Sequence, residues 1–147
     1  MAKFYASTFV GVTDGSKNPP DRADGRLVGA RTRLIVSPKV AGQAWANGDQ
    51  IYIGRRRAGE TVRRISVTSD TSFSTTTLSV GPLTATTKYV NAKTMTVVDV
   101  PTNIGPSGTA ADDSPDVAYE DLWLTLGVGG IAGAVNCTFE VEIAGLN

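Results

Sequence analysis

The sequence predicts an all-β fold, an antiparallel β-sandwich of jelly-roll-like type preceded by an extended N-terminal arm, and three observations carry that expectation. Short segments alternate apolar and polar residues with a period of two, which puts one face of a strand toward a core and the other toward water. Turn formers separate these segments at short intervals, and no stretch has a sustained helical period. Composition points the same way, with 16 glycines in 147 residues and a hydrophobic fraction of 41%, alongside abundant Thr, Ser and Val. A chain of this length can bury roughly two thirds of its unfolded surface as one domain without a disulfide or a metal.

Residues 1–25 read as the arm. Phe4, Tyr5, Phe9 and Val10 are apolar, and the following TDGSKNPPDRADG is dense in turn formers and includes Pro19-Pro20, which a central strand excludes. An arm of this kind buries little alone, so its aromatics need a surface, either the domain's own core or a neighbouring subunit. The sandwich domain then spans 26–147. Arg26 to Val36 alternates as a first strand, with Val28, Ala30, Thr32, Leu34 and Val36 on a core face, Leu27, Arg31, Arg33 and Ile35 on a basic face, and Ser37-Pro38 as its stop. Asn47-Gly48 offers a tight turn between a Val40 to Ala46 segment and a strand at Gln50 to Ile53. Trp45 beside that turn is read equally as a packing residue of the rim or as a binding anchor.

Gly54-Arg55-Arg56-Arg57-Ala58-Gly59 is too short for a helix and is bracketed by glycines, so it predicts a turn that displays three arginines. The next strand, Val62 to Thr68, places Arg63, Ile65 and Val67 on one face. Leu78 and Val80 alternate with Thr77 and Ser79, and Gly81-Pro82 ends that strand. From Leu83 to Val100 the pattern predicts a short helical turn followed by a strand at Thr94 to Val100, then a loop over Pro101 to Pro115. Leu122, Leu124 and Leu126 alternate with Trp123 and Thr125; a glycine-rich bend, Gly127 to Gly133, leads into Asn136 to Ile143, with Cys137, Phe139, Val141 and Ile143 inward and Glu140 and Glu142 outward. The total is about eight short strands, the count of a sandwich or jelly roll.

Formal charge is zero, with 14 basic and 14 acidic residues, which argues against a nucleic-acid or anionic-membrane binder. The distribution is uneven. Arg26 to Arg64 holds nine Lys/Arg against Asp49 and Glu60, a net of +7, whereas Ile65 to Asn147 holds two lysines against nine acids, a net of −7. Either basic and acidic strands pair across one sheet, or opposite patches of different subunits, or of this chain and a larger assembly, meet.

Most chemistry is excluded by residue type. There is no histidine and one cysteine, so no Ser-His-Asp or Cys-His constellation, no imidazole zinc site and no internal disulfide can form. Cys137 lies in phase with the inward residues of its strand and reads as a small buried hydrophobe. Asp112, Asp113, Asp116, Glu120 and Asp121 form an acidic cluster without calcium-loop spacing, read as a solvated loop, and nothing fixes a glycosidase pair of carboxyls. Gly127-Val128-Gly129-Gly130 lacks the helix a phosphate loop needs. Asn136-Cys137-Thr138 fits a glycosylation sequon, but MAKFYASTFV has no continuous apolar core, so neither a signal peptide nor a membrane span is expected. Neither enzyme activity nor a cofactor is expected.

Over roughly residues 50–144 the chain resembles a group of small tailed-bacteriophage virion proteins. IYIGRRRAGETVRRISVTSDTSFSTTTLSVG, TKYVNAKTMT, DVPTNIG and YEDLWLTLGVGGIAGAVNCTFEVEI stand in the order of that group's motifs. Gly54, Ala58 and Gly59 match its turn, Leu78 and Gly81 its next strand, Lys88 and Tyr89 its third element, and Pro101, Thr102 and Gly105 its fourth. The chain departs from the pattern at Arg55 to Arg57, where the group is often apolar or Pro, and with SFSTTT in place of SLGSST. The resemblance implies a capsid decoration (cement) protein, made in the bacterial cytoplasm and bound to the head exterior. Its implied partners are the major capsid protein and itself, as a homotrimer. It implies that Phe4, Tyr5 and Phe9 contact capsid or a sister subunit while Arg55, Arg56, Arg57, Arg63 and Arg64 pair with carboxylates. A tail or head-fibre component is the nearer alternative, and a carbohydrate-binding sandwich, which needs exposed aromatics along one face, the more distant one.

Overall fold

The structure, a computed structural model, describes residues 2–5, 16, 32–108 and 118–145. Nine strands are defined: β1 (Lys3–Tyr5), β2 (Thr32–Pro38), β3 (Gln50–Arg56), β4 (Glu60–Ser69), β5 (Thr77–Gly81), β6 (Val90–Thr94), β7 (Thr102–Gly105), β8 (Glu120–Gly127) and β9 (Cys137–Gly145). They form a five-stranded sheet in the order β1-β3-β8-β5-β6 and a four-stranded sheet in the order β2-β9-β4-β7, an all-β sandwich. Residues 26–31 of the expected first strand lie outside the described residues, and no helix occurs among those described.

The pairings are nested. β5 pairs with β6, β4 with β7, β3 with β8 and β2 with β9, all antiparallel, as though the chain were one long hairpin ribbon. Folding that ribbon over itself adds β4 to β9 and β5 to β8, and closes the two sheets. This is how a jelly-roll topology brings two amphipathic layers face to face. β1 departs from the expected antiparallel pattern, because it pairs in parallel with the edge of β3, Lys3 to Tyr5 beside Gln50 to Tyr52.

Alternation is fully realised in β9, where Cys137, Phe139, Val141 and Ile143 are buried. They meet Ile51, Ile53, Leu122 and Leu124 of the other sheet in one core. Ser37 Oγ donates to Ile53 O at 2.9 Å, tying the sheets together at a polar point inside that core. Trp45 is a packing residue: it is buried, bridges to Ile131, and its ring lies 6.2 Å from that of Phe139.

Several local expectations are corrected. β2 runs through Ser37 and Pro38 because β2 is a sheet edge, where proline's missing N–H costs no ladder bond. Its faces are the reverse of those expected: Arg33, Ile35 and Ser37 are buried and Leu34 is exposed, because Glu60 gives the Arg33 guanidinium a buried partner. Val40 to Ala46 is turn and irregular chain carrying the single bridge at Trp45. The strand expected at Thr94 to Val100 lies earlier, at Val90–Thr94, since two tight turns, Ala85 N–H to Pro82 O and Lys88 N–H to Ala85 O, return the chain at once along β5. Those turns need Gly81: a Cβ there would sit 2.1 Å from Ala85 O. Within the expected loop 101–115, Thr102–Gly105 is a strand because β4 offers it an open edge.

Two bulges reset faces. In β3 the register shifts between Tyr52 and Gly54; Gly54 has φ 153° and a Cβ there would meet Ile35 Cδ1 at 2.8 Å. In β4 the register shifts between Val62 and Arg64, so the extra residue Arg63 turns outward with Arg64 while Val62, Ile65 and Val67 stay in the core. The unbroken alternation read from the sequence is therefore wrong at Arg63, whose exposed guanidinium stays hydrated and avoids the cost of burying a charge.

Candidate functional site

The charged residues converge on one end of the sandwich, where β3 turns into β4 and β8 begins. Arg55 and Arg56 belong to β3, and the turn proper is Arg57 to Gly59. Opposite them in the antiparallel register stand Asp121 and Glu120, so the acidic cluster's last two members are strand residues rather than solvated loop. Asp112, Asp113 and Asp116 lie outside the described residues.

The expectation that three arginines are displayed on the turn fails at Arg56, which is 1% exposed. Its Nη1 donates to Glu60 O at 2.9 Å and its Nη2 lies 3.8 Å from Glu120 Oε2. Burying a guanidinium is tolerable only with such partners. Arg55 is half exposed; its Nε donates to Asp121 Oδ1 at 2.6 Å and its guanidinium stacks 4.7 Å from the Tyr119 ring. The hydrogen bond to Asp121 holds the Arg55 pKa up. Arg64 pairs with Glu142 of the neighbouring strand at 3.3 Å. These contacts match the sheet-pairing reading of the charge asymmetry. Arg57 and Arg63 are exposed, and Arg63 makes no ion pair among the described residues.

Glu120 is the hub of this end. Lys88 Nζ donates to its Oε2 at 3.1 Å and Tyr89 Oη to its Oε1 at 2.6 Å. Burial, reinforced by Glu120, pushes the Tyr89 phenol up to about 12. Burial opposes the Lys88 ammonium, but its bond to Glu120 raises its pKa on balance. The Lys88-Tyr89 motif singled out in the sequence thus anchors the 82–89 turns to β8. Its polar partners could be found only once β8 lay beside β5.

Of the arm, Phe4 packs against the core and Tyr5 lies against Tyr52 and Trp123, ring centroids 5.6 and 5.9 Å away. Lys3 Nζ lies 5.8 Å from the centre of the Trp123 ring. Phe9 lies outside the described residues. Tyr52 and Trp123 meet edge to face at 5.3 Å and are only 4% and 7% exposed, so they offer no open stacking platform for a sugar. Burial together with Asp121 raises the Tyr52 phenol.

At the opposite end a surface depression of about 250 Å³ is lined by Lys39, Asp70, Asp99, Asn136 and Cys137 among others. Two of its charged groups are already engaged: Asp70 accepts from Asn136 N and Nδ2, and Lys39 Nζ donates to Gly133 O and Val135 O. Among the described residues no group of three or more His, Cys, Asp or Glu is placed to hold a metal, and no helix is long and apolar enough to cross a membrane. The arrangement among the described residues is one of internal ion pairs and packing contacts.

No family model matches the sequence, and neither does any curated protein. Solved structures match the fold. A chain in the capsid of Ralstonia phage GP4 aligns with a TM-score of 0.63 and 14% identity, over 99% of this chain and 100% of that one. A chain in the cyanophage Pam1 capsid asymmetric unit aligns with a TM-score of 0.58 and 15% identity, over 92% of this chain and 100% of that one. At such identity the likeness is one of fold.

Proposed function

We propose that this protein is a non-enzymatic structural component of a tailed-phage virion, a capsid decoration protein. In this reading it binds the head exterior as a homotrimer and strengthens contacts between major capsid subunits. The observation that carries the reading is the agreement in fold with chains from two phage capsids over the full length of each. The ordered motifs over residues 50–144 and a charged end built for contact rather than chemistry support it. The arm residues Phe4, Tyr5 and Phe9 contact capsid or a sister subunit, while the outward cations Arg57, Arg63 and Arg64, with Arg55 beside them, pair with carboxylates there. Arg56 contributes by holding β3, β4 and β8 in place.

The test is cryo-electron microscopy of virions made with and without the protein, with native mass in solution alongside. Extra density outside the shell and a trimeric mass are expected. A strict monomer that never sediments with heads overturns the reading. Charge reversal at Arg57 and Arg63 is expected to weaken association, with a strong salt dependence; unchanged occupancy on heads removes these two from the interface.

A further inference from the structure

Asn47-Gly48 is the one Asn-Gly pair in the chain. Its chemistry is set by the second residue, because glycine has no side chain to shield its nitrogen from the neighbouring amide. The Gly48 nitrogen can attack the Asn47 side-chain carbonyl. In that step a bond forms from Gly48 N to Asn47 Cγ, the bond from Cγ to Nδ2 breaks, and Nδ2 leaves as ammonia with the proton from Gly48 N. Water then opens the cyclic imide. Opening at Cγ leaves an aspartate, and opening at the main-chain carbonyl leaves an isoaspartate, whose chain runs through Cγ. The other described asparagines, Asn91, Asn103 and Asn136, precede Ala92, Ile104 and Cys137, whose side chains crowd the attacking nitrogen.

The fold acts on this pair in two opposite senses. Asn47 is exposed, so water reaches its amide. The nucleophile is withheld: Gly48 N–H donates to Leu126 O at 2.8 Å. The turn also points that nitrogen away. Asp49 N–H bonds back to Ala46 O at 3.1 Å, and Gly48 has φ 86° after a residue outside the left-handed region, which defines a type II turn. Such a turn holds Asn47 at ψ of about +120°, roughly a third of a rotation about Cα–C from the conformation that closes the imide. Asp49 is the latch. Its buried carboxylate accepts from Ala46 N at 2.7 Å and from Ala2 N at 3.4 Å, and its main-chain oxygen accepts from Leu126 N at 3.1 Å. Next to the turn, Trp45 and Ile131 exchange two backbone hydrogen bonds.

From this we infer that Asn47-Gly48 is a self-modification site gated by the fold, inert while the Ala46 to Asp49 turn is closed and converted to aspartate or isoaspartate when that turn opens. The conversion is one-way. An isoaspartate adds a carbon to the main chain, so the Asp49–Ala46 and Gly48–Leu126 hydrogen bonds cannot both re-form. A copy that has opened is thereby marked, and Asp49 loses its place under Ala2 at the foot of the arm. Copies that stay closed keep Asn47.

The test holds the full-length protein in mildly alkaline buffer, native and in unfolding urea, and follows residue 47 by peptide mass spectrometry with fragmentation that separates aspartate from isoaspartate. Conversion is expected to be at least about tenfold slower in the native protein, because it proceeds only through the open fraction. Asp49→Ala, shown to be folded by circular dichroism, should convert at an intermediate rate. Equal rates in the native and unfolded protein overturn the gate. No conversion at Asn47 in urea overturns the site. A folded Asp49→Ala variant that converts as slowly as wild type overturns the latch. Should that variant not fold, wild type in urea below its unfolding midpoint gives the same readout: the rate is expected to climb with the open fraction, and a flat rate overturns the gate.

Discussion

Arg33 and Glu60, 27 residues apart, form a two-pronged buried ion pair in which Arg33 Nε donates to Glu60 Oε1 at 2.9 Å and Arg33 Nη2 to Glu60 Oε2. The pair joins the start of β2 to the start of β4 across β9, and Arg57 N–H adds a further bond to Glu60 Oε2 at 2.7 Å. Both side chains are less than one tenth exposed. Removing one partner strands a buried charge, so Glu60→Gln is expected to cost about 3–5 kcal/mol in denaturant unfolding. The double variant Arg33→Met/Glu60→Met should cost less than either single change, and a double-mutant cycle that shows simple additivity would sink the account.

The same carboxylate sets an acid limit. Burial acts to raise the Glu60 pKa, but hydrogen bonds from Arg33 and the Arg57 backbone outweigh it and hold the value below the usual range. A carboxylate depressed in the folded state contributes stability that is complete above its unfolded value, about 4.3, and is lost as pH falls through the folded value. Urea midpoints should therefore be level near neutrality and drop below about pH 4, with a shallower drop in Glu60→Gln. An identical acid slope in both proteins would assign the loss to other carboxylates.

Gly81 is held by space. Its missing side chain leaves room for the Ala85 carbonyl, a backbone atom that cannot rotate aside, and an added Cβ would lie 2.1 Å from that oxygen. Gly81→Ala should cost about 1–3 kcal/mol. Gly108→Ala, with nothing within 4 Å, is the control and should stay within about 0.5 kcal/mol. Equal thermal midpoints for the two variants would refute the packing argument.

Cys137 should be chemically silent in the folded protein. It is 5% exposed, and burial pushes its thiol up to about 12, so almost no thiolate exists near neutral pH. A thiol-reactive disulfide reagent at pH 8 is expected to label it only as fast as the chain unfolds, and at once in denaturant. Rapid labelling of native protein would place Cys137 at a surface.

Much of the fold was legible because a strand's period of two is written locally. The inward Cys137, Phe139, Val141 and Ile143, the leucines of β8 and the turn at Asn47-Gly48 follow from residue type and spacing alone. The site was less legible. Arg55 and Arg56 look alike in sequence, yet one is half exposed beside Asp121 and the other enclosed between Glu60 and Glu120. Periodicity cannot report the bulge that turns Arg63 outward, since a bulge depends on what the facing strand presents.

By itself, then, the sequence determined the all-β class, the alternation of strands such as β8 and β9, the absence of imidazole chemistry and a chain divided into basic and acidic parts. Only the tertiary structure decided that Arg55 and Arg56 face Asp121 and Glu120 across one ladder, that β1 lines the edge of β3, and that the loops 39–49, 70–76, 95–101 and 128–136 meet at the opposite end. The reason is one of range. Alternation and turn chemistry act over a few neighbours, whereas ion pairing and shared loop surfaces arise between segments that approach only when the ribbon folds over and the two sheets close on one core.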